Sequence, residues 1–115
     1  MAKLRVAGVT GRAMDAWKRI NDKPTSITLL RDGVTTLAAQ TVRVEFTYMA
    51  FQERSSGAGN MAIGACVIFG VAGHPTVVDT DIERKDQFEI DDTIYTVLQV
   101  VEYPGEVQAR CEAVS

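Results

Sequence analysis

The sequence predicts a mostly β domain: a small β-barrel or sandwich of six to seven short strands, with one N-terminal amphipathic helix and a long mobile loop. Three observations predict it. Apolar and polar residues alternate with period two in several segments. Turn-forming pairs separate those segments, and helical periodicity is confined to one stretch near the N-terminus. This pattern is typical of closed or stacked sheets and leaves the choice between barrel and sandwich open.

Size and composition are those of one soluble domain spanning residues 1–115. Apolar residues make up 46% of the chain and charged residues 23%, and a domain of this size buries a real core without metal or disulfide support. The net charge of −3 does not favour DNA or an anionic membrane as a partner. No apolar stretch is long enough for a signal peptide or a membrane span, so we expect synthesis in a cytoplasm and no membrane partner.

The helix is expected from Thr10, as its N-cap, to about Asn21. Met14, Trp17 and Ile20 recur at three-residue spacing, which places them on one face that would pack on the core. Pro24 disfavours helical geometry at the residue before it and ends the element. Residues 1–9 are expected to form a flexible arm or a short edge strand.

Strands are expected on both sides of the Asp32-Gly33 pair, at 26–30 and 34–39, because Asp-Gly between apolar runs is a strong hairpin signal. The cleanest alternation follows at 41–48, and another strand is expected at 61–71. Gly64 and Gly70 lie inside that last strand, and each indicates a bulge or a close backbone approach.

A polar loop separates the strands at 41–48 and 61–71. Its serine and glycine content predicts a mobile segment. The glycines do not form a phosphate-binding loop, because no lysine follows in register. Its members are Gln52, Glu53, Arg54, Ser55, Ser56, Gly57, Ala58, Gly59 and Asn60.

The last third of the chain predicts a meander. Residues 87–90 alternate, Asp91-Asp92 forms a polar turn, and the nearly continuous apolar run at 94–101 is typical of a strand covered on both faces. Pro104-Gly105 breaks that run, and residues 106–113 alternate again.

The residues needed for catalysis or metal binding are not apparent in the sequence. His74 lies in a turn context, and Cys66 and Cys111 are expected to be reduced, buried thiols. Two cysteines and one histidine at unrelated spacings do not form a zinc site. The carboxylates between Asp79 and Asp92 lack the spacing of a calcium loop and are expected to form a solvated acidic face. We therefore expect no enzyme, no cofactor and no metal.

The chain carries the pattern D-I-x-R-x-D-x-F-x-I-D-D-x-x-Y-x-V-x-x-V, and here it resembles the head-closure proteins of tailed phages, also called head–tail connector, stopper or neck proteins. The resemblance covers residues 76–103 well and the rest in outline. Asp92 departs from the glycine often found there in the family. The matching residues are Asp81, Ile82, Arg84, Asp86, Phe88, Ile90, Asp91, Asp92, Tyr95, Val97 and Val100.

The resemblance implies a β-barrel that assembles as a homo-oligomeric ring, commonly a dodecamer, below the portal or adaptor protein in the virion neck. Such a ring closes the DNA channel after packaging and docks the tail through a tail terminator or tail tube protein. In the family, projecting loops close the channel, which makes 52–60 the candidate loop. Adjacent Glu53 and Arg54 balance its charge, as suits a channel that passes genomic DNA without gripping it.

A ring needs two unlike surfaces that meet between neighbouring copies. The basic N-terminal segment and the acidic segment at 79–92 are the candidate pair. The interface candidates are Arg12, Lys18, Asp79, Asp81, Glu83 and Asp86.

Two other functions stay open. A tail terminator or tail-completion protein would have a similar size and also form a ring. A nucleic-acid-binding barrel of the OB or Sm kind would need exposed aromatic residues among Lys and Arg on a strand face. The outward positions of the 41–48 strand offer no aromatic residue: Thr41, Arg43, Glu45 and Thr47.

Overall fold

A computed structural model describes residues 2–47 and 64–114 and shows a mostly β protein in which one helix packs on a single curled sheet. The predicted loop at 52–60 lies outside the described residues. The sheet has eight strands in the order β1-β4-β5-β8-β7-β6-β2-β3 and curls into a half-barrel. The elements are α1 (Ala2–Asp22), β1 (Thr25–Ile27), β2 (Leu30–Arg31), β3 (Thr35–Thr36), β4 (Gln40–Thr47), β5 (Ala65–Val71), β6 (Gln87–Ile90), β7 (Thr93–Tyr103) and β8 (Glu106–Ala113).

Helix α1 begins at Ala2, so the predicted start at Thr10 is wrong and residues 2–9 are neither an arm nor a strand. The chain contains no proline before Pro24, and glycines at positions 8 and 11 cost only about 1 kcal/mol each relative to alanine. The two glycines are therefore not enough to end this helix of 21 residues.

The buried face of α1 agrees with the prediction at Ile20 and differs from it at Met14. Ala13, Ala16 and Ile20 are buried, whereas Met14 is 49% exposed and Trp17 is half-buried. The cause is a close approach of the helix to the β7–β8 turn. A Cβ atom on Gly105 would lie 2.7 Å from the backbone nitrogen of Ala13. Small side chains are therefore required along the line of contact.

The main core fills the concave face of the half-barrel. Phe88 and Tyr95 stack there with ring centroids 5.4 Å apart. A second, smaller core lies between α1 and the convex face, where Ala13, Ala16 and Ile20 pack with Val71. The main core contains Ile27, Leu29, Val42, Val44, Cys66, Ile68, Ile82, Phe88, Tyr95, Val97, Val107, Ala109 and Cys111.

Both predicted polar turns are confirmed. Asp32 and Gly33 have φ values of 56° and 71°, and Asp91 and Asp92 have values of 50° and 66°. Positive φ at both central positions is what a type I′ hairpin turn requires. Aspartate tolerates this conformation because its short side chain bonds to the local backbone. Glycine would adopt the positive φ of Asp92 without steric cost.

The prediction that strand β7 is covered on both faces is wrong. Tyr95 and Val97 are buried, and the register shifts between Val97 and Gln99. After this bulge at Leu98, Val100 packs against the core. An inserted residue moves the following side chains to the opposite face of the sheet. Inward and outward positions therefore no longer alternate along the sequence, and the run looks continuously apolar. Three apolar side chains of this strand are about half exposed: Ile94, Leu98 and Tyr103.

The close approach predicted at Gly70 is confirmed, whereas a Cβ atom on Gly64 would make only ordinary contact with Tyr95, at 3.6 Å. A Cβ atom on Gly70 would lie 2.6 Å from the Cβ of Thr80, whose hydroxyl accepts a hydrogen bond from Val71 N at 2.9 Å. We expect Gly70→Ala to lower the free energy of unfolding by about 1–3 kcal/mol, because this overpacks a closed contact.

The matched control is Gly11→Ala, since a Cβ atom there meets nothing within 4 Å. In a helix this change is expected to stabilise by up to about 1 kcal/mol. Urea denaturation of the two variants measures both effects. A Gly70→Ala protein as stable as the wild type would contradict the packing described for Thr80.

Candidate functional site

The densest group of charges in the described residues surrounds Arg31, at the end of β2. We call Arg31, Asp81, Glu83 and Asp86 the Arg31 cluster. Arg31 Nε lies 3.0 Å from Asp86 Oδ1, and Arg31 Nη2 lies 2.8 Å from Asp86 Oδ2. The same Nη2 is 3.0 Å from Asp81 Oδ1, and Nη1 is 3.5 Å from Glu83 Oε2. The guanidinium therefore holds three carboxylates, one of them through two bonds.

Asp86 is the buried centre of this cluster, with a side chain only 2% exposed. Its Oδ2 also accepts a hydrogen bond from Glu83 N at 2.8 Å. Its backbone oxygen accepts one from Val97 N at 2.8 Å, and Lys85 N donates to Val97 O at 2.8 Å. The segment between β5 and β6 is thereby fastened both to Arg31 and to β7.

The hydrogen bonds and charge of Asp86, with a further contribution from Asp81, raise the pKa of Arg31 above its usual range against the opposing effect of burial. Arg31 is therefore a permanent cation in this site. The expectation that Asp86 belongs to a solvated acidic face is wrong, because burial of a carboxylate requires a partner and Arg31 supplies it.

The acidic segment carries less net charge than its sequence implies. Asp81 and Glu83 keep side chains 60% and 64% exposed, but both pair with Arg31. Arg84 and Lys85 lie in the same segment. Arg31, Arg84 and Lys85 together offset three of the seven carboxylates at 79–92, so the segment stays acidic but less so than its carboxylates alone imply.

The predicted interface cations lie elsewhere. Arg12 and Lys18 are both exposed on α1, and the Cβ of Arg12 lies beside Gly105 in the β7–β8 turn. Within the described ranges, the ion pairs involve neither of them. Among the described side chains, no ion pair links Arg12 or Lys18 to the carboxylates at 79–92, so the pairing of the two segments stays a prediction about two copies.

A groove of about 490 Å³ opens between α1 and two loop segments, and sequence reasoning missed it. Its walls come from residues 37–41 and 77–81, with Trp17 and Val71 also lining it. Asp79 and Asp81 are its charged lining residues. Little in the sequence indicated this groove, because loop segments have no periodicity that a pattern search detects. The one local signal was the short run from Thr76 to Val78, which does not form a strand.

The walls of the groove are fixed by specific bonds. The Gln40 side chain donates to Asp81 O at 2.9 Å and accepts from Asp81 N at 2.8 Å. Asp79 Oδ1 accepts from Gly73 N at 2.7 Å. These bonds hold the 77–81 wall without a strand ladder.

His74 orders the neighbouring turn. Its Nδ1 accepts hydrogen bonds from Thr76 N at 3.0 Å and Val77 N at 3.1 Å, so the ring proton resides on Nε2. The ring meets Trp17 edge to face, with centroids 6.2 Å apart. The histidine therefore connects the turn to α1.

Cys66 and Cys111 lie directly opposite each other on β5 and β8 and are both buried. Cys111 Sγ lies 3.7 Å from Ala109 O. The hydrogen bond shared with Cys66, together with burial, raises the pKa of the Cys111 thiol. The prediction of two reduced thiols in the core is confirmed.

Across residues 2–47 and 64–114, no group of three or more His, Cys, Asp or Glu side chains is placed to hold a metal ion. In the same ranges, no helix has the length and apolar character needed to cross a bilayer. No protein-family model matches the sequence, and a comparison with curated proteins found no match.

The Arg31 cluster makes a prediction about stability. We expect Asp86→Asn to lower the free energy of unfolding by about 3 kcal/mol, because it removes the charge of the buried partner and weakens its two bonds to Arg31, and the exposed Asp81 and Glu83 replace that pair only in part. Asp81→Asn is the matched control; its exposed pair with the same arginine is expected to contribute about 1 kcal/mol or less. Urea denaturation measures both, and equal losses would show that Asp86 is not the anchoring carboxylate.

The buried thiols make a second prediction. In the native protein, neither Cys66 nor Cys111 is expected to react with Ellman's reagent on the timescale of manual mixing, since both are covered by the sheet. In guanidinium chloride, both are expected to react at once. Rapid labelling of the native protein would mean that β5 and β8 separate readily.

Proposed function

We propose that this protein is a structural subunit of the neck of a tailed phage. It forms a homo-oligomeric ring under the portal or adaptor, closes the DNA channel and docks the tail. The observation that carries the proposal is the resemblance of residues 76–103 to head-closure proteins, taken together with the part those residues play in the fold.

The matching residues build one connected unit. Asp81 and Asp86 bind Arg31, and Ile82 enters the core. Phe88 stacks on Tyr95 across the type I′ turn that Asp91 and Asp92 form. A pattern whose members support one another in space is a stronger signature of a shared fold than the same letters scattered over a surface.

The function then follows from the family resemblance and not from a reactive site. A ring subunit works through interfaces and loops. The loop at 52–60 is the proposed channel element; its composition suits a segment with open and closed arrangements. The partners in this proposal are copies of the chain itself, the portal or adaptor, a tail terminator or tube protein, and the DNA that passes through.

The contacts of β4 favour this role over a nucleic-acid barrel. Arg43 Nε binds Glu45 Oε2 at 2.6 Å, and its Nη1 donates to Arg19 O at 3.2 Å. The guanidinium of Arg43 is thus already bonded within the protein and is not free to bind a phosphate. Binding of single strands requires cations and aromatic rings together in one groove.

Electron microscopy of lysates tests the role, using a tailed phage that carries this gene and a derivative with the gene disabled. We expect heads without tails that have lost their DNA, beside free tails of normal length, because an unclosed channel releases the packed genome. A plasmid copy of the gene should restore infectious particles.

Two other results would contradict the proposal. Tails of irregular length beside stable, full heads would identify a tail terminator. Normal infectious particles would show that the protein is not a required component of the neck.

A further inference from the structure

The second half of strand β7 extends beyond the strand that pairs with it on one side. Strand β6 pairs with β7 only at Thr93–Thr96. The chain enters β6 through a tight turn in which Lys85 has a φ of 81°. The last backbone bonds on this side are those of Val97, whose N–H and C=O bond to Asp86 O and Lys85 N. We call the outer side of residues 98–103 the β7 edge.

The pairing with β8 determines which backbone groups point toward the β7 edge. Tyr103 and Glu106 flank a two-residue turn and lie opposite each other, so they exchange both hydrogen bonds. Bonded and non-bonded positions alternate along an antiparallel pair, so Val101 also bonds to β8, whereas Val100 and Glu102 direct N–H and C=O to the other side. Residues 2–47 and 64–114 supply no backbone partner for these outward groups.

The β7 edge is accessible and lacks the usual protection. Leu98 and Tyr103 are 45% and 47% exposed, and Glu102 is also exposed. Edge strands are commonly protected by lysine, by proline or by a covering element, because their free N–H and C=O groups bind a further strand. Residues 98–103 include neither lysine nor proline. The occupant that fits is an extended strand, since its backbone groups have the matching spacing.

Charges at the two ends of the β7 edge indicate which strand fits. Arg84 and Lys85 are exposed at the end where β6 stops, beside Val97. Glu102 lies at the opposite end. Among the described side chains, the ion pairs involve none of these three charges. An antiparallel copy of the same edge brings its own Glu102 to the cationic end, and it does so twice by symmetry.

We propose that two copies of this chain pair antiparallel through the β7 edge, about a two-fold axis at Val101. Val101 then lies opposite the same residue of the second copy, and Val100 lies opposite Glu102 on both sides of the axis. Each Val100–Glu102 pair exchanges two backbone hydrogen bonds, so the sheet continues from one copy into the other.

This contact is isologous, so it is complete when two edges have paired, and it gives a dimer. It goes beyond the proposed ring, whose subunits meet through unlike surfaces, and neither contact depends on the other. A strand pair this short buries less surface than a standard interface, so we expect weak association, at high micromolar concentration.

Amide hydrogen exchange, measured by NMR at low and at high protein concentration, tests the edge residue by residue. We expect exchange at Val100 and Glu102 to be fast in the dilute protein and at least about fivefold slower in the concentrated protein, because pairing covers their N–H groups. Val101 and Tyr103 are the internal controls, since their N–H groups bond to β8 in either state.

Substitutions at Val101 test the two-fold register. Val101→Lys places two like charges directly opposite each other in the dimer, and Val101→Asp does the same with the other sign. Each is expected to weaken dimerisation by about fivefold or more in sedimentation velocity. Val34→Lys is the matched control and should dimerise as the wild type does, because Val34 is 77% exposed at the tip of the β2–β3 hairpin, far from β7 in the sheet order.

An equimolar mixture of Val101→Lys and Val101→Asp gives the sharpest result. Lysine meets aspartate only if the axis passes through this position, so we expect the mixture to dimerise where neither variant does alone. If circular dichroism shows that the half-buried Val101 does not tolerate a charge, Glu102→Lys and Lys85→Glu repeat the test. Each alone should weaken the dimer, and the two together in one chain should restore it.

Three outcomes overturn the inference. A wild type that stays monomeric up to millimolar concentration would leave the β7 edge to a strand of another protein. Slow exchange at Val100 and Glu102 at every concentration would show that the edge is covered within one copy. A dimer that neither charge pairing restores would mean that the copies meet through other surfaces. The lysate experiment judges the neck role separately in each case.

Discussion

The bond between Arg31 and Asp86 is the constraint on which the rest of the fold depends. Strand β2 pairs with β6 through a single residue pair, Leu30 with Gln87, which is too short a ladder to hold a hairpin in place. The guanidinium adds two bonds to one buried carboxylate 55 residues further along the chain. A planar fork suits this task because it fixes direction as well as distance.

Several consequences follow from that bond. The β2–β3 hairpin is held against β6, which keeps Leu29 and Ile82 over the concave core. The 81–86 segment is fixed at the same time, and with it the wall of the groove at Asp81. This interaction between distant parts of the chain thus shapes the groove beside α1.

Local patterns predicted most of the fold. Period-two alternation located β4, β6 and β8, and the Asp32-Gly33 and Asp91-Asp92 pairs located their turns, because these signals depend only on neighbouring residues. The apolar run of β7 gave a wrong prediction of burial on both faces, because the bulge at Leu98 shifts which residues face the core. The burial of Asp86 could not be predicted, since it depends on a partner distant in sequence. The groove could not be predicted either, because helix and loops meet there only in the folded protein.

Our central proposal is that this chain is a ring subunit at the head–tail junction. Cryo-electron microscopy of the neck of a phage that carries the gene tests it most directly. We expect a ring between portal and tail into whose density the half-barrel fits, with the proposed loop at 52–60 toward the channel. A neck reconstruction with every ring accounted for by other proteins, and with no density for this chain, would contradict the account.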